Sequence, residues 1–506
     1  MANIRSHRSV IERWVITGTL LLETPAHFGN GDVDALTDMP LLVDEINGKP
    51  LLPGTSIAGA LRNYLREREL GFGEKESKDT AVSELFGGYR GNDDGEQSPL
   101  IVFDAPGHSA GMELRDGVAI DPETRTAADE KKFDMQLLAA GSTFELRFEL
   151  AVNKNSASLL NALATALHGL EDHQVTLGAR KHRGFGQVTV TDWHVWKFDL
   201  RTKDGLLNWL AFERGWQGPV KEQAGTTLDK KLDANVSKTD VRKVAHLSAT
   251  FALDGSLMIR SGFGQSDSGP DMVHIHSPRP KKGKPSEQEK LPVIPGTSWA
   301  GILRQRALKI ARTVSSNIQA AYKNKKLLKK VDDKDVPLLK AEVFVNDMFG
   351  SSEINRENSK NAKASRISIQ ESEITNADAL VITRVKIDRF TGGAYESALF
   401  NEEPAIGKPG TQVKLDLTLR NPQDAEIGLL LLLLKDLWTG DLPVGGESGI
   451  GRGQLEGLHA TLESPKGKWE FNADGEKVLT TPDAAKLEGF VNDFKVEIKK
   501  AEVSHE

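Results

Sequence analysis

Leu52-Pro53-Gly54-Thr55-Ser56-Ile57-Ala58-Gly59-Ala60-Leu61-Arg62 returns as Ile294-Pro295-Gly296-Thr297-Ser298-Trp299-Ala300-Gly301-Ile302-Leu303-Arg304, identical at eight of eleven positions. Three further matches follow in the same order. Leu85-Phe86-Gly87 returns as Met348-Phe349-Gly350, Ile120-Asp121 as Ile387-Asp388, and Gly184-Phe185-Gly186-Gln187 as Gly451-Arg452-Gly453-Gln454. The offset is 242 residues at the first match, 263 at the second and 267 at the last two, so the second copy carries insertions after Arg304. Matches that keep their order over this length mean one structural unit used twice.

Each copy shows the same succession of patterns. In the first, an alternating strand over Trp14–Glu23 leads through a loop to the Pro-Gly-Thr-Ser helix, with Ile57, Leu61 and Tyr64 or Leu65 at helical spacing and Thr55 or Ser56 as N-cap. A strand over Thr143–Val152, a helix from about Ser156 to Leu170 and a strand over Gly186–Trp196 follow. The second copy offers Leu247–Ile259, Ser298 to about Ala311, Gln412–Leu419, Asp424–Trp438 and Gly453–Leu462 in the same order. Strand, helix, strand, helix, strand predicts an α+β fold of two tandem ferredoxin-like modules of β-α-β-β-α-β type, with one strand per copy unplaced. The expected domains are 1–240, with interdomain linker from about 208, then 241–465, then a tail over 466–506. Leu487, Phe490, Val491 and Phe494 give that tail an amphipathic helix that docks on a domain or a partner.

Composition narrows the chemistry. The 506 residues contain no cysteine, which excludes disulfides, thiolate zinc sites and cysteine nucleophiles. The longest apolar run, Leu429–Leu434, is far short of the roughly 20 residues that span a bilayer. Met1–Val15 carries no apolar signal segment, so the expected location is cytoplasmic, with no membrane partner. With 65 basic and 72 acidic residues the net charge of -7 does not advertise nucleic-acid binding. Local basic stretches do exist at Arg180-Lys181-His182-Arg183, Arg279–Lys284 and Lys323–Lys330. A solvated face is the commoner meaning of such runs.

Two glycine clusters stand at matching places, Gly178–Gly186 and Gly445–Gly453. Glycine admits close approach of a phosphate to backbone N–H groups, and it equally serves a strained helix-to-strand turn. Neither cluster ends in Gly-Lys-Ser/Thr or opens a helix, which argues against a nucleotide cofactor. The two Pro-Gly-Thr-Ser helix starts (Gly54, Thr55, Ser56 and Gly296, Thr297, Ser298) present N–H groups that suit phosphate, with Arg62 and Arg304 two turns on; plain capping is the alternative.

Taken together, Pro-Gly-Thr-Ser-x-x-Gly-x-x-Arg after an acidic loop, then Phe-Gly, then a glycine cluster ending Gly-x-Gly-Gln, resembles the RAMP superfamily proteins that form the backbone of type III CRISPR complexes. The likeness covers nearly all of residues 10–465 and is greatest to the fused double-module subunit of subtype III-D. It implies an RRM-like palm that holds guide RNA by its phosphates, with a β-hairpin thumb inserted in each module, here around Gly117–Ala128 and Arg384–Ala394. Implied RNA contacts are the two helix starts, Arg62 and Arg304, then Arg180, Lys181, His182, Arg183, Gly184 and Gly186, then Gly451, Arg452 and Gly453, with Arg384 and Arg389 on the second thumb. Implied partners are guide RNA, complementary target RNA and further subunits of the complex.

The loop before each Pro-Gly-Thr-Ser helix is acidic, with Asp32, Asp34 and Asp38 in the first copy and Asp267 and Asp271 in the second. Asp-Met is common to both loops and pairs Asp38 with Asp271. Asp38, two residues before Pro40, also matches the catalytic aspartate of related backbone subunits. The expectation is that Asp38 and Asp271 cut target RNA, with Mg²⁺ as cofactor and both aspartates as its ligands. Loop aspartates are more often turn formers, which leaves a non-catalytic RNA-binding scaffold as the alternative. A guide-processing ribonuclease built on His27, His182, His274 or His276 is the third reading; these histidines do not recur between the copies.

Overall fold

A computed structural model describes residues 10–31, 38–78, 80–88, 97–121, 124, 126–153, 156–212, 221–261, 269–281, 284–315, 340–351, 363–473, 479–481 and 483–499. Asp32, Asp34, Asp267 and the Lys323–Lys330 stretch lie outside them.

The first module is built on β1 (Glu12–Leu22), whose alternate residues Trp14, Ile16, Leu20 and Leu22 are buried. This strand sits between β7 (Thr143–Val152) and β8 (Val188–Asp199), antiparallel to both. The outer place beside β7 is taken by β3 (Leu100–Val102), with β4 (Ala105–His108) continuing the edge to β2 (Leu51–Leu52). The order β3-β7-β1-β8, with α1 (Gly54–Leu70) after β1 and α2 (Ser156–Glu171) after β7, is the expected ferredoxin-like arrangement. The strand that sequence left unplaced is β3. At three residues it is too short to carry an alternating pattern.

The second module repeats this plan. β9 (Val244–Asp254) lies between β15 (Gln412–Arg420) and β16 (Gln454–Ser464), and β12 (Ile367–Ile369) fills the place of β3 beside β15. The helix α3 (Gly296–Val314) corresponds to α1. The helix over Asp424–Trp438 corresponds to α2, and its run of leucines packs the core with Trp438. The tail helix, Ala484–Lys499, docks on this helix through Leu487, Phe490, Phe494 and Ile498. The stretch from about 208, expected as linker or a small helical element, carries the end of helix Lys203–Ala211 and helix Leu228–Leu232; the latter buries Leu228 and Leu232 in the first core.

Each thumb is an antiparallel hairpin inserted between the second and third strands of its palm. It pairs β5 (Met112–Ile120) with β6 (Ala127–Leu138), and β13 (Ile382–Ile387) with β14 (Ala394–Glu403). Both hairpins begin earlier and end later than the stretches the resemblance implies, reaching Met112 and Leu138 in the first module and Ile382 and Glu403 in the second. The two modules meet through a buried cluster of charges. Arg115 of β5 and Arg279 of the second module's hairpin β10 (His276–Lys281) with β11 (Lys284–Ile294) both bind Glu371, the Arg115 Nη1 to Glu371 Oε2 distance being 2.5 Å. Glu113 adds its carboxylate to Arg115 at 3.0 Å and accepts from Ser277 Oγ at 3.1 Å. Burial alone raises Glu371's carboxyl, yet Arg115 and Arg279 outweigh it and hold the group below the ordinary range; Glu113, with less compensation, is pushed up by burial.

Candidate RNA-cleavage site

Asp38 and Asp271 hold the same structural position. Asp38 Oδ2 accepts from the backbone N–H of Asp134 at 2.9 Å, and Met39 then pairs in parallel with Met135 of the thumb. In the second module Asp271 Oδ2 accepts from the N–H of Asn401 at 2.8 Å, and Met272 pairs in parallel with Glu402. Asp134 and Asn401 are themselves equivalent, since each thumb sets them opposite Asp116 and Thr383 respectively. Both candidate aspartates are exposed. The thumb thus fixes the carboxylate by a backbone donor, and a donor of that kind survives any change of side chain.

The chemistry around the two anchors differs. Thr383 Oγ1 donates to Asn401 Oδ1 at 2.8 Å, a neutral pair. Asp116 instead faces Asp134, and burial together with this neighbour raises the Asp116 carboxyl. Below the anchors, Met39 packs on Met135, Leu137 and Phe185 in the first module. The corresponding place in the second holds Glu402, 0 % exposed, and Arg452, 3 % exposed, joined at 2.7 Å. Arg452 is therefore enclosed and out of reach of an RNA phosphate, which corrects the reading of this residue as an RNA contact. Arg384 shares Glu402 at 3.0 Å, whereas Arg389 and Phe390 stand exposed at the thumb tip.

The helix starts also read differently in three dimensions. Pro53 and Pro295, not Thr55 or Ser56, are the N-caps, and neither makes a side-chain cap. Asp104 supplies the anion at the first helix, its Oδ1 accepting from Gly54 N at 2.7 Å. Gly54 is glycine because a Cβ would lie 2.4 Å from Val102 O; at Gly296 it would lie 2.5 Å from Ile369 O. Arg183 O is also 2.4 Å from that position, so the first module's glycine cluster covers the second module's helix start. Thr55, Ser56 and Thr297 are nevertheless well placed on the outer face, and Gly59 and Gly301 have open space above them.

Arg62 and Arg304 serve the repeated Phe-Gly turns. Arg62 Nη2 donates to Gly88 O at 2.9 Å, and Arg304 Nη1 to Gly350 O at 2.7 Å, beside its bond to Asn346 Oδ1. These carbonyls close short helices that end in Gly87 and Gly350 at positive φ, where orphan acceptors need donors. Arg180, Lys181, His182 and Arg183 are partly buried where the modules meet, and Arg304 and Arg420 face them. Burial first, then Arg420, Lys181 and Arg183, lowers His182 to about 4. A knot of cations with few acids suits an anion. Gly184 packs against Glu371 N in this joint, while a Cβ on its counterpart Gly451 would meet nothing within 4 Å among the described residues; Gly186 and Gly453 instead pack on the carbonyls of Leu177 and Val444.

The histidines behave as structure. His274 accepts the Ile259 N–H and bonds Val293 O, and burial lowers it to about 3. His27 is buried and bonds Gln136 O; His276 bonds His274 O. Among the described residues no three His, Asp or Glu side chains converge on a metal position. Mg²⁺ is commonly held by one or two carboxylates completed by water and substrate phosphate, and a single exposed aspartate fits that manner of binding.

The RAMP superfamily model matches residues 19–189 and 255–456, one match per module. The chain belongs to the RAMP superfamily. RAMP proteins generally act in type III CRISPR complexes, with RNA and other subunits. Each match encloses the first palm helix and the thumb of its RAMP module; the first begins within β1 and the second just after β9, and the tail helix falls beyond both. No curated protein matches the chain. No helix among the described residues is long and apolar enough to cross a membrane.

Proposed function

We propose that this RAMP protein is a guide-RNA-binding backbone subunit of a cytoplasmic type III effector, of the fused double-module kind found in subtype III-D. We propose further that it is an endoribonuclease that cuts complementary target RNA at two positions, through Asp38 and Asp271. One observation carries the reading. The aspartates are 233 residues apart and their anchors Asp134 and Asn401 are 267 apart, yet the same backbone bond forms in both modules. Different loop lengths that converge on one exposed carboxylate beside a thumb are economical if the carboxylate has work to do.

Guide RNA binding is supported by the cationic knot of Arg180, Lys181 and Arg183 with Arg420, and by the open helix faces at Gly59 and Gly301. Packing of further subunits is supported by Gly451, whose equivalent Gly184 is covered inside the joint. In the cleavage step, each aspartate, held by its thumb N–H, orients the attack of an RNA 2′-hydroxyl in line with the scissile phosphate. The 2′-oxygen bonds to phosphorus as the bond to the 5′-oxygen breaks, the hydroxyl proton passes to solvent and the leaving oxygen takes one up, giving a 2′,3′-cyclic phosphate and a 5′-hydroxyl. Bound Mg²⁺, with Asp38 or Asp271 as ligand, would supply stabilisation of charge on that phosphate. The test is cleavage of target RNA by the assembled complex in Mg²⁺. Asp38→Ala and Asp271→Ala should each erase one cut and leave target binding intact. An unchanged pattern in the double variant would leave a non-catalytic scaffold, and loss of guide maturation instead would point to a processing ribonuclease.

A further inference from the structure

We propose that Glu402 and Arg452 are positioning residues for the second cleavage site, acting through the thumb strand that anchors Asp271; the proposal rests on the reading of Asp271 as catalytic. The segment that begins at Asp271 is stitched to three successive residues of β14, Asn401, Glu402 and Glu403. Asp271 takes the Asn401 N–H, Met272 pairs with Glu402, and His274 N donates to Glu403 O at 2.9 Å. The middle one, Glu402, turns its carboxylate inward to Arg452 of the glycine cluster at 2.7 Å and to Arg384 of the facing thumb strand at 3.0 Å. Arg452 also binds Glu447, which Arg260 holds from the other side at 3.0 Å. The palm thus grips the thumb at the residue next to Asp271's anchor.

The first module solves the same problem without charge. The register that equates Asp134 with Asn401 equates Met135 with Glu402, and Gly184-Phe185-Gly186 with Gly451-Arg452-Gly453. Met135 and Phe185 pack together there, 2 % and 3 % exposed, with Met39 against them. One chain therefore contains both versions of one joint, an apolar pair and an ion pair. A buried ion pair fails badly when one partner is removed and is replaced well by apolar residues of similar volume. Positions shown to tolerate Met and Phe in one module define the replacement for the other.

The experiment uses the assembled complex with guide RNA and reads the two cuts separately. Glu402→Met should lower the cut assigned to Asp271 by roughly 10- to 100-fold, the scale of a displaced catalytic group. The Asp38 cut and target binding should stay as in wild type. Adding Arg452→Phe to Glu402→Met rebuilds the first module's pair and should return the lost cut to within a few fold. Where the single variant does not assemble, the double variant decides alone: a cut restored at the Asp271 position supports the proposal, and guide binding without that cut overturns it. A single variant that cuts normally at both positions also overturns it. Failure of the underlying reading looks different, since the wild-type complex would then leave target RNA intact, or Asp271→Ala would cut as wild type does.

Discussion

Arg62 and Arg304 have the charge of RNA-binding residues and the surroundings of structural ones. Each guanidinium is committed to carbonyls of the Phe-Gly turn, so the arginine recurs because the turn recurs. Arg304→Met would leave Gly350 O and Asn346 without that donor and should lower stability by about 1–3 kcal/mol, read by thermal unfolding. The slope of RNA affinity against salt should stay unchanged in this variant. Neutralising Arg180, Lys181 and Arg183 together should do the opposite, reducing the slope by about 0.7 for each phosphate no longer neutralised. If Arg304→Met flattens the salt dependence, the arginine touches phosphate after all. The same contrast explains what was legible at this scale. Asp38 and Asp271 could be paired from sequence because each is followed by methionine, and the methionine is what enters the parallel pairing with the thumb. Arg452 could not be read, because the Glu402 that buries it lies fifty residues earlier and looks like one more charge on an exposed hairpin.

At the level of elements, long apolar patterns located the palm well. The helix over Asp424–Trp438 starts and ends where its capping residues and leucine run place it, and β7 spans the expected Thr143–Val152. β3 and β12 escaped notice because three residues each suffice once β7 and β15 are there to pair with. The tail helix shows how tightly two legible elements can meet. A Cβ on Gly428 would lie 2.1 Å from Phe490 O, so the helices touch backbone to backbone. In a free helix Gly→Ala stabilises by about 1 kcal/mol. Gly428→Ala should instead destabilise, and protection of the Ala484–Lys499 amides in hydrogen exchange should fall with it. A gain in melting temperature would mean that the tail is not seated against Gly428.

For the molecule as a whole, the decisive feature is the joint around Glu371. Its carboxyl is held below the ordinary value, so its stabilising contribution is present above the unfolded-state pKa and is lost as pH falls through the lower folded value. Acidification into and below the usual glutamate range should therefore loosen the modules, seen as a larger radius in small-angle scattering. Glu371→Gln should remove most of that pH response and cost about 3–5 kcal/mol at neutral pH, because Arg115 and Arg279 stay buried without their shared anion. A variant that keeps wild-type stability and acid response would show that the joint is held elsewhere. The joint also has a meaning for geometry. Two neighbours that meet from solution can slide, tilt or leave, whereas these two are clamped by a charge cluster shut away from water. If both aspartates cut, the interval between the two breaks is then a length built into one polypeptide, and the fragment released between them should be the same size in every particle, whatever else in the assembly is missing.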